Sequence, residues 1–303
     1  MKRISTEVWY IVLSFLTIYI VWGATYLFVS FAVKQLEPFF LSGIRFFLAV
    51  FILVGVGLIF RRLRTPTRTQ IINALGVGIF FLGFGASGVA WALKTVDTGF
   101  AALLISAEPL VVVLMLWVVN RKPPSGLSFL GIAMGMTGIY LLVSQKSIVV
   151  SSEHWMGILA IIGSMLCWGA GSIYINRSDM PKSQYLNSSL QMISGGIIAL
   201  LISLLFEGRP ISPLSWHPKT IMSVAFLVVF GSALAFSAFN YLLTKVSPEK
   251  VATGTYVNPL VALFLGWLFN EEIITMQSLI AAGVMLTGVY FINIAKSKTV
   301  TAH

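Results

Sequence analysis

Long uninterrupted blocks of apolar residues limit what this chain can fold into more than any other feature. The 303 residues are 57% hydrophobic and only 10% charged, whereas soluble domains are about one quarter charged. The apolar residues follow one another in runs of about 20, the length that crosses a bilayer as a helix, and not in amphipathic stripes. The sequence therefore predicts an all-α membrane protein.

Ten such blocks fit along the chain, joined by short connections: 9–33, 38–60, 71–93, 97–119, 127–144, 157–176, 185–206, 219–243, 250–269 and 274–295. The first block is too long for the apolar core of a signal peptide, so it is interpreted as an uncleaved span. Barrel strands are excluded because the blocks are twice the length that a strand needs.

Loop charge gives the expected orientation, because cytoplasmic loops carry an excess of Lys and Arg. With the N-terminus inside, fourteen basic residues fall in cytoplasmic segments: Lys2, Arg3, Arg61, Arg62, Arg64, Arg68, Arg121, Lys122, Arg177, Lys182, Lys245, Lys250, Lys296 and Lys298. The outer loops hold five: Lys34, Lys94, Lys146, Arg209 and Lys219. Both termini should therefore be cytoplasmic, in a protein of the inner membrane. Because the loop bias accounts for the formal net charge of +10, the charge does not indicate a nucleic-acid partner.

The chain contains an internal repeat. Residues 107–142 align without gaps to 257–292, which matches Pro109 to Pro259 and Trp117 to Trp267, and WGAT at 22–25 resembles WGAG at 168–171. Five spans in each unit mean that the second copy enters the membrane from the opposite side. The sequence thus predicts two inverted five-helix repeats, 9–144 and 157–295, around a central cavity, a plan that is common among secondary transporters.

Four segments carry a resemblance to a known family: WGATYLFVSFAVKQLEPFFLSGIRFFLA (22–49), AEPLVVVLMLWVV (107–119), NPLVALFLGWLFNEE (258–272) and the paired GMTGIYLL and MLTGVYFI. They resemble the ten-helix EamA-type exporters of the drug/metabolite transporter superfamily. The resemblance implies a basket of ten helices around a central cavity that exports amino acids, other small metabolites or toxic compounds, and the two inverted copies give alternating access a structural basis. The family often has Glu just after the fourth span; Asn120, Arg121 and Lys122 stand here, whereas the second repeat keeps Glu271 and Glu272.

Two charged residues fall deep inside the predicted spans, Glu108 midway along the fourth and Arg45 in the outer third of the second. A charge at that depth costs several kcal/mol unless it faces a partner or a wet cavity. We expect Arg45 and Glu108 to form an ion pair on the cavity wall; the alternative is that Arg45 reaches the headgroups while Glu108 is protonated. The repeat places Gln191 opposite Arg45 and Asn258 opposite Glu108, so the cavity should be charged on one side only, which suits substrates with one polar end.

Other polar and aromatic residues within the spans complete the expected site. Taken singly, each is better explained by packing, and only the set outlines a binding surface. The predicted cavity residues are Trp22, Thr25, Tyr26, Arg45, Trp91, Glu108, Trp168, Tyr174, Gln191, Asn240, Tyr241, Tyr256 and Asn258. Pro109 and Pro259 each remove a backbone hydrogen bond, so they are predicted to kink the fourth and ninth spans and are candidate gates.

Other functional classes fit the sequence less well. GASG at 85–88 resembles the serine motif of rhomboid proteases, but the histidines, His154, His217 and His303, fall in loops or the tail, so no base would activate Ser87 and no enzyme is expected. No P-loop is present, and the lone Cys167 provides no metal or disulfide set, so neither cofactor nor metal is predicted. A gated channel or a non-transporting receptor or scaffold is the alternative. The expected partners are a small-molecule substrate and the bilayer. The sequence leaves open whether the protein is a monomer or an oligomer, and whether transport is coupled to protons or proceeds by facilitated diffusion or exchange.

Overall fold

The structure is a computed structural model that describes residues 6–121, 123–145, 151–175, 177–208, 212–246, 251 and 254–300. The described residues are helical and include no strand. Eight helices are long and apolar enough to cross a membrane: α1 Glu7–Ala32, α2 Pro38–Ile59, α3 Arg68–Ala92, α4 Thr98–Asn120, α5 Gly126–Val143, α6 Ser152–Ile175, α7 Gln184–Phe206 and α8 Pro218–Leu242. Two more follow, α9 Gly254–Phe269 and α10 Met276–Val300, whose apolar parts are shorter, Val257–Phe269 and Met276–Ile292.

The helices begin where local sequence signals place them. Pro38 opens α2 after an extended Glu37, and its fixed φ suits a first helical position. At the start of α3, the Thr67 hydroxyl accepts from the Gln70 amide while the Gln70 side chain accepts from the Thr67 amide, so two orphan donors are satisfied. Ser125 caps α5 by accepting from the Ser128 amide. The all-helical membrane fold is confirmed, with eight clear spans among the described residues.

Three helices widen into π-helical turns that the sequence did not reveal. The widened segments are Thr17–Val21 in α1, Ile79–Ala86 in α3 and Leu227–Leu234 in α8. Such turns redirect side chains and backbone carbonyls locally and often occur at functional sites. The segments in α3 and α8 have the same length and occupy corresponding places in the two halves of the chain.

The two prolines act differently on their helices. α4 breaks at Ser106 and Ala107 into Thr98–Ile105 and Glu108–Asn120, directly before Pro109. In contrast, α9 continues as one helix from Gly254 to Phe269 with Pro259 inside it. The fourth span is therefore interrupted close to Pro109, whereas the ninth span shows no break in its described part.

Helix neighbours follow a regular pattern. α2 packs along α7 and α5 along α10; α1 packs against α9 as α6 does against α4; α3 packs against α7 as α8 does against α2. The α5–α10 contact is close because glycines face it. A Cβ on Gly138 would meet Ala281 and Met285 of α10, and one on Gly288 would meet Gly131 and Gly135 of α5. Small residues let the two backbones approach, as in other membrane helix pairs.

Candidate functional site

A cavity of about 450 Å³ lies in the middle of the helical bundle. Its wall is formed by α1–α4 from the first half of the chain and α6–α9 from the second, while α5 and α10 stay outside it. Nine of the residues singled out in the sequence lie on this wall: Trp22, Thr25, Tyr26, Arg45, Glu108, Pro109, Trp168, Asn258 and Pro259. Those residues are separated by up to 237 positions along the chain, from Trp22 to Pro259, and the fold brings them to one place.

Five other predicted residues lie away from the wall: Trp91, Tyr174, Gln191, Asn240 and Tyr241. The Gln191 amide donates to Asn187 Oδ1 (2.9 Å) within α7, and the Asn240 amide donates to Ser188 Oγ (2.7 Å), which joins α8 to α7. The Tyr174 hydroxyl donates to Asn73 Oδ1 (3.0 Å). The hydrogen bonds of Asn240 and Tyr174 therefore join neighbouring helices, and that of Gln191 stays within α7. The side chain of Tyr256 lies outside the described residues.

Arg45 and Glu108 share the cavity but do not form the ion pair that the sequence predicted. Among the described residues the ion pairs are Lys94–Glu37 and Lys245–Glu7. Instead, the Arg45 guanidinium carbon lies 4.7 Å from the centroid of the Phe46 ring, and its Nε is buried with no hydrogen-bond partner. The guanidinium thus lies against the ring of the next residue on its own helix and makes no ion pair with Glu108 on α4.

Aromatic rings form much of the remaining wall. The Phe81 ring stacks on Trp168 with centroids 4.4 Å apart, and the Trp22 ring lies 5.1 Å from that of Phe239. The Trp22 indole N–H donates to the Gly231 carbonyl (3.3 Å), so this buried donor has the acceptor that it needs at mid-bilayer depth. Each of these two aromatic surfaces thus combines one ring from the first half of the chain with one ring from the second.

The π-helical turn of α1 has a structural consequence at the cavity. The amide nitrogen of Asn258, turned toward α1, donates to the carbonyl oxygens of Ile18 (3.1 Å) and Tyr19 (3.0 Å). Both carbonyls belong to the widened segment Thr17–Val21, where regular helical pairing is displaced. Asn258 therefore fixes α9 to α1 at the wall, one residue before Pro259.

Several wall residues have no sequence signal that would have identified them. Ser232 on α8 and Phe236 one turn later both line the cavity, and the buried Ser232 hydroxyl has no hydrogen-bond partner. Met165 and Met192 add soft apolar surface from α6 and α7. Serines, phenylalanines and methionines occur throughout such spans, so only the rotation of each helix shows which of them face inward.

One end of the bundle is held together by carboxylates from the second half of the chain. Both oxygens of Glu272 accept hydrogen bonds at the N-terminus of α4, from the Thr98 amide (2.8 Å), the Thr98 hydroxyl (2.9 Å) and the Gly99 amide (3.0 Å). Glu207 accepts in the same way from the amides of Phe39 (2.9 Å) and Phe40 (3.0 Å) at the start of α2. We call this side of the molecule, with residues 34–40, 94–99, 207 and 270–272, the Glu272 end.

A further carboxyl group lies at the Glu272 end. Burial raises the pKa of Asp97 above its usual value, the nearby charge of Glu272 raises this pKa further, and His154 acts in the opposite direction. Since Asp97 immediately precedes α4, two carboxyl groups compete for the same helix N-terminus, and Glu272 holds the hydrogen bonds.

Comparison with known proteins decides the family. The model of the EamA-like transporter family matches the chain twice, over residues 9–144 and 155–294. The chain belongs to the EamA-like transporter family. The resemblance inferred from the four sequence segments is thereby confirmed, and membership of a transporter-type family is consistent with the expectation that the chain is not an enzyme.

Individual relatives match nearly the whole chain. The chain is 31% identical to the uncharacterized inner membrane transporter YedA of Escherichia coli K12 over 280 residues, which cover 92% of this chain and 89% of YedA. It is 19% identical to the uncharacterized transporter YoaV of Bacillus subtilis, with 92% and 95% coverage. A solved crystal structure at 19% identity superposes with a TM-score of 0.65 and covers 92% of this chain and 94% of the other, which shows a shared fold.

Proposed function

We propose that this protein is a secondary transporter of the inner membrane that exports small amphipathic metabolites, such as amino acids or related compounds, or drugs, by alternating access. The observation that carries the proposal is the mid-depth cavity, because it is built by four helices from each half of the chain. Substrate sites of secondary transporters lie at such a junction between repeats. Family membership and the similarity to YedA support transport as the class of function.

Ten spans in two inverted repeats, 9–144 and 157–295, are part of the proposal. The two matches of the family model and the matched π-helical segments in α3 and α8 support it. Helix packing gives further support, since contacts between α5 and α10 occur in pairs that exchange under a shift of 150 positions: Gly138 with Ala281, and Gly288 with Gly131. This reciprocity is what a pseudo-twofold axis produces.

We assign the Glu272 end to the outer face. The loops at the opposite end hold most of the basic residues, which favours cytoplasmic termini. In this conformation the Glu272 end is closed by bonds between the halves, and these must separate for a substrate to leave outward. Arg61 and Lys122 occupy the positions that the repeat assigns to Glu207 and Glu272, so the basic residues cannot cap the other end in the same way.

A cavity-blocking substitution tests transport directly. Ala86 lines the cavity, so Ala86→Phe fills it, whereas Ala133→Phe adds the same ring to an exposed position on α5. Purified variants in proteoliposomes should be scanned for counterflow of amino acids and amphipathic compounds, with and without a pH gradient. We expect the wild type and Ala133→Phe to exchange at least one solute and Ala86→Phe to exchange none. Gated ion current without solute exchange would refute the transporter and favour a channel.

A further inference from the structure

Arg45 combines burial, positive charge and an unfilled hydrogen-bonding requirement on the cavity wall. Its Nε has no hydrogen-bond partner, and it belongs to neither of the ion pairs formed by the described residues. Leaving a buried charged donor unpaired costs more free energy than leaving a buried neutral donor unpaired. A permanently charged guanidinium is retained at such a position only where an acceptor reaches it. No other Lys or Arg occurs among the described residues of the wall.

A second unfilled donor lies on a neighbouring helix. The buried Ser232 hydroxyl of α8 lines the same cavity and lacks a hydrogen-bond partner. α8 packs against α2, which carries Arg45, and the Trp22 indole donates to the carbonyl of Gly231, immediately before Ser232. The wall thus offers one charged and one neutral donor, from different halves of the chain, beside an aromatic surface.

These groups define what can bind between them. We propose that Arg45 and Ser232 bind the carboxylate of an organic monoanion whose apolar body lies against Trp22 and the Phe81–Trp168 stack. A guanidinium presents parallel N–H groups that match the two oxygens of a carboxylate. Arg45 is the one basic residue among the described wall residues, so it matches a single carboxylate, whereas a doubly charged phosphate ester would bring a second negative charge onto a wall that also carries Glu108. The assignment rests on the proposed transport function and names its substrate class.

The test compares one carboxylate with its uncharged analogue. Proteoliposomes containing the full chain would be loaded with 3-phenylpropionate, and counterflow would be measured for radiolabelled 3-phenylpropionate, 3-phenylpropionamide and phenylalanine. We expect the wild type to prefer the carboxylates over the amide at least about tenfold in kcat/KM. Arg45→Gln should reduce carboxylate exchange by about 30-fold or more and abolish the preference. Arg45→Lys should restore part of it, since it keeps the charge without the fork.

A second pair of variants guards against loss of folding in Arg45→Gln. Ser232→Ala removes only the hydroxyl on the wall, and we expect KM for the carboxylates to rise about fivefold to tenfold. Ser237→Ala is the matched control, because the Ser237 hydroxyl is also buried and unpartnered but does not line the cavity. Its kinetics should equal those of the wild type.

Each other outcome overturns a distinct claim. Exchange of neutral or amine solutes that Arg45→Gln and Ser232→Ala leave unchanged would refute the carboxylate site while transport stands. Equal kinetics for Ser232→Ala and Ser237→Ala would remove Ser232 from the site. Absence of exchange for every solute scanned would refute the transport function and, with it, this assignment.

Discussion

Replacing Glu272 by glutamine should loosen the Glu272 end by a predictable amount. The carboxylate accepts four hydrogen bonds, from the Thr98 amide and hydroxyl, the Gly99 amide and the Asn270 side chain, two at each oxygen. Glu272→Gln keeps one acceptor oxygen and places an NH2 group where the other stood. Two of the four bonds are then lost, and the negative charge at the N-terminus of α4 disappears.

The magnitude follows from these lost contacts. A hydrogen bond to a charged group contributes about 1.5–3 kcal/mol, and a charge at a helix N-terminus about 0.3–1 kcal/mol. Because Glu272 is half-buried, water replaces part of what is lost. We therefore expect the closed state to lose about 2 kcal/mol, which raises the population of molecules open at this end roughly 30-fold.

Cysteine accessibility measures that population. Ala90 is buried on the cavity wall near the end of α3, so a membrane-impermeant maleimide added from the outer side reaches a cysteine there only when the Glu272 end opens. In a Cys167→Ser background, Ala90→Cys should be labelled roughly 30-fold faster when Glu272→Gln is added. Glu271→Gln is the matched control, because it makes the same change at the neighbouring residue, which is exposed whereas Glu272 is half-buried. Equal labelling rates for Glu272→Gln and the parent, or equal acceleration by Glu271→Gln, would refute the reasoning.

The Glu272 end supports three further predictions. Asp97→Asn should raise Tm at neutral pH, because the pKa of Asp97 is raised in the folded state and the ionised carboxylate therefore destabilises the fold as pH rises through that pKa. The gain in Tm should vanish in acid, where the carboxyl group is protonated. An equal gain at all pH values would contradict this reasoning. Gly266→Ala should lower Tm and accelerate labelling of the cavity cysteine, because a Cβ would collide with Glu272 Oε2, whereas Gly283→Ala, which meets no atom within 4 Å, should change neither. Glu207→Gln should lower Tm by a few degrees in a thermal melt, since α2 loses a charged cap.

Helix positions were predictable because bilayer thickness sets the length of each apolar block. The expected span 38–60 corresponds to Pro38–Ile59, and 127–144 to Gly126–Val143. The break of α4 was also predictable, since a proline removes the amide that would continue the helix. These features depend on local chemistry alone.

Helix rotation was harder to predict. Gln191 occupies the repeat position of Arg45, yet α7 faces α3 there so closely that a Cβ on Gly78 would collide with the Gln191 backbone. The predicted ion pair between Arg45 and Glu108 does not form for a related reason. The depth of two residues along their spans does not determine the directions in which their side chains point. The π-helical turns rotate each following side chain around its helix. No residue pattern in LGFGA (82–86) or FGSAL (230–234) predicts such a turn.

Sided labelling of the cavity cysteine tests most directly whether one cavity opens to one side at a time. Ala90→Cys would be labelled with a membrane-impermeant maleimide in right-side-out and in inside-out vesicles, with Glu272 intact and with Glu272→Gln. We expect Glu272→Gln to speed labelling from outside and to slow it from inside, since opening one end closes the other. Faster labelling from both sides would show a continuous path through the membrane and would contradict alternating access.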